Sequence, residues 1–230
     1  MSIHYILNQI KLSLLRVLLI AVAGLLLPPL AAYGGEIRGT ASLPSERSGF
    51  RPISPFARSR TTSVNIKSAN TIIVYLEESP GLTRGNPPAI QPVMDQKNYS
   101  IVPHLLTIVA GTTVRFPNSD DVFHNLFSLS AAKKFDLGRY PNGVSKEVRF
   151  EKAGDIRIYC DIHPTMSGVI LVVPNKFHTT ANEAGEFELS DVPAGTYTIC
   201  GWHELYPKTG TSVKVPETGT VEVRLQFDLP

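Results

Sequence analysis

The chain is poor in several residue types that would define a class of protein. It has two cysteines and one tryptophan in 230 residues, which excludes a small scaffold held together by many disulfides. Lysine and arginine (22) nearly balance aspartate and glutamate (20). Nucleic acid is therefore not an expected partner, because phosphate binding needs clustered positive charge. The longest unbroken apolar run, 17–27, is too short for a transmembrane helix, which needs about 20 residues.

The first 34 residues have the features of a secretory signal peptide. Lys11 and Arg16 precede the apolar run at 17–27, and two prolines follow it. The small residues Ala32 and Gly34 predict cleavage after Gly34. We expect a periplasmic or secreted bacterial protein with no membrane anchor after cleavage. A membrane anchor that is retained is the alternative interpretation.

The remainder of the chain reads as an all-β structure. Short runs of alternating apolar and polar residues are separated by turn residues, such as Pro-Asn-Gly at 141–143, and this pattern predicts strands. No segment after the signal shows the apolar period of a helix. The predicted strands are 36–42, 71–77, 105–116, 125–129, 144–151, 155–160, 168–173, 185–189, 196–200, 212–215 and 220–227.

Three metal-binding side chains lie on one short segment between two predicted strands: Cys160, His163 and Met166. A thiolate, an imidazole and a thioether form a soft donor set, which suits copper cycling between Cu(I) and Cu(II), whereas Ca²⁺ and Mg²⁺ prefer oxygen. A type 1 (blue) copper site needs a second imidazole, and His124 is the candidate. The sequence therefore predicts one copper ion bound by His124, Cys160, His163 and Met166.

The second cysteine begins a similar pattern and does not complete it. Cys200 is followed by His203 at the same spacing, but position 206 is Tyr206. A disulfide between Cys160 and Cys200 is the simplest expectation for an exported protein. The metal pattern around Cys160 argues against it, and Cys200 is then best interpreted as a small buried hydrophobic residue on a strand.

Residues 93–173, which follow the proline-rich stretch 79–92, resemble a cupredoxin. The Phe-Pro-Asn sequence at 116–118, followed by His124, is similar to the first ligand loop of that family. The spacing of the ligands in 160–166 resembles the short ligand loop of amicyanin more than the longer loop of plastocyanin. The resemblance implies a blue copper domain that contains all four ligands.

The resemblance also implies a route for electrons. In that family the ring edge of the residue corresponding to His163 is the exposed electron port. Ile162, Pro164 and Phe123 are expected to surround it as a small apolar docking patch, which suits a weak, short-lived encounter with redox protein partners.

The segments on either side of the copper-binding unit resemble halves of a second sandwich. The predicted strand–turn–strand hairpin at 185–198 is similar to the carboxypeptidase regulatory-like, transthyretin-like β-sandwich, a carbohydrate-binding-like fold. That family opens with strands of the kind predicted at 36–42 and 71–77, which here precede the copper-binding unit. We therefore expect the cupredoxin to be inserted into the second sandwich. The whole arrangement resembles exported methylamine-utilisation or plastocyanin-like proteins.

The expected fold class is all-β: a cupredoxin Greek-key sandwich inserted in, or joined to, a second small immunoglobulin- or transthyretin-like sandwich. The expected domains are a signal peptide (1–34), the first part of the second sandwich (35–80, with a loop-rich stretch at 44–70), a linker (81–92), the cupredoxin (93–173) and the second part of that sandwich (174–230).

Electron transfer between redox proteins is the leading functional hypothesis, and no enzymatic activity is expected, because no nucleophile–base pair or open metal position is evident. Copper carriage without redox turnover is one alternative. Another is a contact with glycan or cell-envelope polymer through the second sandwich, for which Trp202 and Tyr206 could offer stacking faces, although a core position is favoured for Trp202. His104 lies either near the copper or on the surface, and the surface is favoured.

Overall fold

A computed structural model describes residues 34–44 and 71–230. These residues form strands and no helix, which confirms the all-β prediction. In this part of the chain, nothing helical could serve as a membrane span. The predicted signal peptide lies outside the described residues except for Gly34, and so does most of the loop-rich stretch. The strands are β1 (Gly34–Ser42), β2 (Ile73–Leu76), β3 (Asp95–Lys97), β4 (Ser100–Val102), β5 (Leu105–Val109), β6 (Thr112–Pro117), β7 (Leu126–Ser128), β8 (Phe135–Asp136), β9 (Ser145–Phe150), β10 (Gly154–Cys160), β11 (Ser167–Val173), β12 (His178–Thr180), β13 (Glu186–Pro193), β14 (Gly195–Trp202), β15 (Thr209–Val215) and β16 (Thr220–Gln226).

Two sheets, which we call the terminal sheets, are built from the strands at the two ends of the described chain. Their strand orders are β13-β1-β16 and β12-β2-β14-β15. β1 lies antiparallel to β13 and parallel to β16, while β2 lies antiparallel to β12 and β14. Strands that precede the segment 93–173 in sequence therefore pair with strands that follow it. The domain boundaries stay predictions.

The remaining strands form what we call the central sheets. One has the order β5-β11-β10-β7-β8, and β6-β9 and β3-β4 form two short ladders. Bridges from Val93 to Arg115 and from Gln96 to Asn118 join the β3 and β6 segments. A core of apolar residues from these strands, including Phe116, Phe150 and Ile158, is fully buried between them. Cys160 and Met166 belong to this core.

A third apolar cluster, the contact layer, joins the terminal sheets to the central sheets. Successive side chains of a strand point to opposite faces. Val169, Leu171 and Val173 of β11 accordingly enter the contact layer, while its intervening residues enter the central core. The contact layer also includes Tyr75 and Trp202 from the terminal sheets. Burial on both faces explains why β11 is apolar along nearly its whole length.

The prediction of one strand at 105–116 is wrong, because the segment forms two strands in two different sheets. Between β5 and β6 the chain turns at Gly111, whose φ of 95° lies in the left-handed region that favours glycine. Ile108 of β5 and Val114 of β6 both reach the central core. The turn therefore crosses from one side of this core to the other.

The prediction of a hairpin at 185–198 is also wrong. β13 pairs with β1, and β14 pairs with β2 and β15, so the two strands do not pair with each other. Leu189 of β13 and Ile199 of β14 are buried in the same terminal core. The turn at 193–195 consequently connects two sheets across that core. Four short strands, β3, β4, β8 and β12, were not predicted from the sequence.

Candidate metal centre

Two separate connections between central strands carry the predicted ligands. Cys160 is the last residue of β10, and His163 and Met166 lie on the loop that leads to β11. His124 lies between β6 and β7, where its backbone N–H and C=O pair with Tyr140 at 3.2 and 3.0 Å. The loop is closed by two hydrogen bonds: the Cys160 N–H donates to the Met166 carbonyl (3.2 Å), and the Met166 N–H donates to the His163 carbonyl (2.9 Å).

Three of the four predicted ligands converge on one point. The Nδ1 atoms of His124 and His163 are 3.0 Å apart, and the Cys160 Sγ lies 3.9 and 3.8 Å from them, respectively. The point equidistant from the three atoms is about 2.1 Å from each, close to the bonds of about 2.0–2.1 Å for imidazole and 2.3 Å for thiolate that zinc forms. The described residues contain no other cluster of three such His, Cys, Asp or Glu donor atoms.

The fourth predicted ligand, Met166, is buried in the core cluster that contains Cys160. Its backbone closes the ligand loop, so its position in the chain is tied to that of Cys160 and His163. Two imidazoles and a thiol, with a thioether on the same loop, fit copper in either oxidation state. The axial role of Met166 stays a prediction.

A nearby carboxylate, that of Asp120, orients His124. The Asp120 Oδ2 lies 2.9 Å from the His124 Nε2. Because a carboxylate accepts hydrogen bonds, the contact with Asp120 places a hydrogen on the Nε2 of His124, and the Nδ1 is the atom that faces the cluster. His124 itself is fully buried, which excludes water from this side of the site.

Backbone donors hold Asp120 in turn. Its carboxylate accepts hydrogen bonds from the N–H groups of Asn98 (2.5 Å) and Tyr99 (2.9 Å). Burial alone raises the pKa of Asp120, but the hydrogen bonds from Tyr99, His124 and Asn98 outweigh it and hold that pKa below its usual value. Asn98 and Tyr99 form the turn between β3 and β4, with φ values of 54° and 55°. Two consecutive residues at positive φ are typical of a type I′ turn.

The same turn places an aromatic ring over the site. The Tyr99 ring meets the rings of His163 and His124 edge-on, with centroids 5.1 and 6.0 Å apart. Tyr99 is nevertheless 53% exposed. Tyr99 was not predicted at the site because the strands of the β3–β4 hairpin are only three residues long. The Asn98-Tyr99 pair, with an asparagine that tolerates positive φ, was the available signal.

The residues predicted to form a docking patch at His163 are open to solvent to different degrees. His163 and Ile162 are partly buried, Pro164 is exposed, and Phe123 is 56% exposed. Tyr99 adds a second exposed aromatic ring in direct contact with His163. The role of this surface as a docking patch stays a prediction.

The second cysteine and His104 are not among the donors of this cluster. Both cysteines are free, so the argument against a disulfide is confirmed. Cys200 lies in the contact layer, where burial raises the pKa of its thiol to about 12. His104, for which the surface was the favoured position, is 25% exposed, and both of its ring nitrogens have partners.

Known proteins resemble part of the chain. No family model and no curated protein matches it. Among solved structures, it is similar to a copper-containing nitrite reductase from Thermus scotoductus (26% identity, TM-score 0.35), over 38% of this chain and 25% of that one. It is also similar to a purple cupredoxin from Nitrosopumilus maritimus (28%, TM-score 0.32; 35% and 98%). A copper(I) form of an amicyanin variant is similar at 20% identity (TM-score 0.33; 35% and 79%). The chain thus spans a quarter of the reductase and nearly all of the purple cupredoxin.

Proposed function

We propose that this protein binds one type 1 copper ion at His124, Cys160, His163 and Met166, and carries single electrons between redox protein partners. The observation that carries the proposal is the triangle of two Nδ1 atoms and one Sγ atom, whose centre lies at bonding distance from all three. Copper bound there supplies a one-electron couple between Cu(I) and Cu(II).

The side chains of the site are suited to keep its geometry unchanged when the charge of the metal changes. His124 is held by Asp120, and Asp120 by two backbone N–H groups. The loop from Cys160 to Met166 is tied by its own backbone hydrogen bonds. Ligands held in advance by such partners reorganise little, which favours fast electron transfer over chemical conversion of a substrate. We propose no enzymatic reaction.

The electron is expected to leave through the surface around His163. Tyr99, which contacts His163, is exposed, as are Pro164 and Phe123, and a small apolar surface suits a transient complex. The signal-like first 34 residues support the proposal that these encounters take place in the periplasm or outside the cell.

A glycan-binding role for the terminal sheets has less support. Trp202 is 7% exposed and belongs to the contact layer, which agrees with the core position favoured from the sequence. It therefore offers no open stacking face. Tyr206 is half-buried and packs edge-on against His203, with ring centroids 4.9 Å apart.

The visible spectrum of the full chain after addition of Cu(II) tests the proposal. An intense thiolate-to-copper band is expected, and a colourless copper complex would contradict it. Repeated voltammetric cycles then separate electron transfer from copper carriage. A reversible couple at a constant copper-to-protein ratio supports electron transfer, whereas progressive loss of copper favours carriage.

A further inference from the structure

A group of charged side chains, which we call the charged contact, bridges the terminal and central sheets: Glu204, His104 and Arg157. Glu204 follows β14 of the terminal sheets. Its Oε2 lies 2.9 Å from the His104 Nε2, and its Oε1 lies 3.3 Å from the Arg157 Nη1. The second guanidinium nitrogen of Arg157 donates to the Glu204 backbone carbonyl at 3.0 Å. His104 and Arg157 belong to the central sheets, so one terminal residue contacts both.

His104 donates in both of its contacts only when its ring is protonated. Its Nε2 faces the carboxylate of Glu204, and its Nδ1 lies 3.1 Å from the backbone carbonyl of Ser167. Both partners can only accept, so both ring nitrogens donate. The hydrogen bond that His104 donates to Glu204 raises the pKa of His104, while burial and the charge of Arg157 act to lower it. For Glu204, burial raises the pKa, but His104, Arg157 and His203 bring it below its usual value.

The charged contact ends on the strand that leaves the metal loop. Ser167 is the first residue of β11 and directly follows Met166. The His104 backbone carbonyl also accepts the N–H of Val169 at 2.7 Å. His104 thus holds Ser167 through its ring and Val169 through its backbone. Gly168 lies between them, and a Cβ there would meet the His104 carbonyl oxygen at 3.1 Å, so the two segments are in close contact.

We propose that Glu204 and His104 are positioning residues, through which the terminal sheets hold the start of β11, and with it the Met166 end of the copper loop, in its place. The expected effect on the metal rests on the proposed copper function. The structural part of the proposal, that Glu204 and His104 hold the start of β11, does not. The proposal gives the terminal sheets a role. Glu204 lies 100 positions from His104 in sequence, so only the packing of the terminal sheets against the central sheets brings Glu204 to His104.

Hydrogen exchange of the full chain without copper tests the structural part. The relevant amides are those of Cys160, Met166 and Val169, because their hydrogen bonds close the loop or join it to His104. Glu204→Ala is expected to speed their exchange about tenfold, as loss of a charge-assisted hydrogen bond does. Glu204→Gln should have a smaller effect, because its amide oxygen can still accept from His104, and it is the variant to measure if Glu204→Ala does not fold.

Lys208→Ala is the matched control. Lys208 forms a more exposed ion pair with Glu77 (2.6 Å). It lines the same cleft as Glu204, but its ion-pair partner is Glu77 and not His104 or Ser167. It should leave exchange at the three amides unchanged. Equal exchange in the Glu204 and Lys208 variants would overturn the proposal.

The reduction potential of the copper-loaded protein tests the consequence at the metal. Because the axial ligand tunes the potential of a blue copper site, Glu204→Ala should shift it and Lys208→Ala should not. An unshifted potential in Glu204→Ala would overturn this part. The two proposals can fail separately. If the wild-type chain binds no copper, the proposed function is contradicted. If hydrogen exchange in the loop still depends on Glu204 in that case, the positioning role remains supported.

Discussion

Two Cys-x-x-His segments in this chain have the same spacing and very different surroundings. Cys160 and His163 bring their side chains together, with Sγ and Nδ1 3.8 Å apart. Cys200 lies in the contact layer, while the His203 ring packs edge-on against Tyr206 and Phe227, with centroids 4.9 and 6.2 Å apart. Burial does not separate the two segments, because Cys160 and Cys200 are 4% and 1% exposed.

The position of each cysteine in its strand explains the difference. Side chains three positions apart on a strand point to opposite faces. Cys200 lies within β14, which continues to Trp202, so the cysteine and His203 diverge. Cys160 is the last residue of β10, and the loop after it folds back and returns His163 to its sulfur. A metal pattern in a β protein is therefore informative only where the strand ends.

The largest expected effect comes from changing each cysteine to alanine. Cys160→Ala should abolish the thiolate-to-copper band, because it removes the thiolate. Cys200→Ala should keep the band at full intensity and lower the free energy of unfolding by about 0.5–3 kcal/mol, as a buried truncation does. Visible spectra and urea denaturation measure both. Loss of the band in a folded Cys200→Ala protein would contradict the comparison.

A smaller effect is expected from the carboxylate behind His124. Asp120→Asn removes the charge that fixes the His124 ring, and the affinity for copper should fall about 10- to 100-fold. Asp121→Asn is the matched control, because Asp121 is exposed and accepts a hydrogen bond only from Asn142 (3.2 Å) among the described residues. Competition with a copper chelator measures the affinities. Equal affinity in the two variants would refute the role of Asp120.

The charged contact should make stability depend on pH in a defined direction. The folded pKa of His104 is raised, chiefly by its hydrogen bond with Glu204. Its contribution to the free energy of unfolding is therefore full below the unfolded histidine pKa of about 6.5, and it is lost as the pH rises through the raised value. Glu204 affects stability at acidic pH. Its pKa is lowered in the folded protein, so its contribution to the free energy of unfolding is lost as the pH falls into the range where carboxylates are protonated.

Urea denaturation of the wild type and Glu204→Gln across this pH range measures the difference. Their stabilities should converge as the pH rises through the raised pKa of His104. The buried His178, whose pKa burial lowers, acts in the opposite direction but is common to both proteins and cancels. A stability difference that is the same at every pH would show that His104 does not titrate with Glu204.

The last substitution is expected to have no effect on copper binding. Tyr206→Met completes the pattern Cys-x-x-His-x-x-Met in the second segment, yet the number of copper ions bound should stay at one per chain. The cysteine and His203 still point away from each other, because β14 is unchanged. Metal analysis of the purified protein gives the count. A second bound copper would mean that spacing alone, and not the strand end, makes the site.

Local patterns in the sequence predicted more of this molecule than distant contacts did. The strands, the ligand loop and the convergence of His163 with Cys160 follow from alternation and short spacing. The role of Asp120 could not be predicted, because its hydrogen bonds reach Asn98 and Tyr99 on a hairpin with very short strands. The pairing of Glu204 with His104 depends on two sets of sheets packing together, and no local signal marks it. The hairpin at 185–198 was predicted wrongly because the turn sequence at 193–195 does not show whether the strands on either side of it join the same sheet.

X-ray absorption of the full chain loaded with Cu(II) tests the central claim most directly, because it identifies the atoms bound to the metal. The account predicts one short copper–sulfur bond and two copper–nitrogen bonds, with the sulfur lost in Cys160→Ala and retained in Cys200→Ala. A copper environment of nitrogen and oxygen alone, in the wild-type chain, would contradict it.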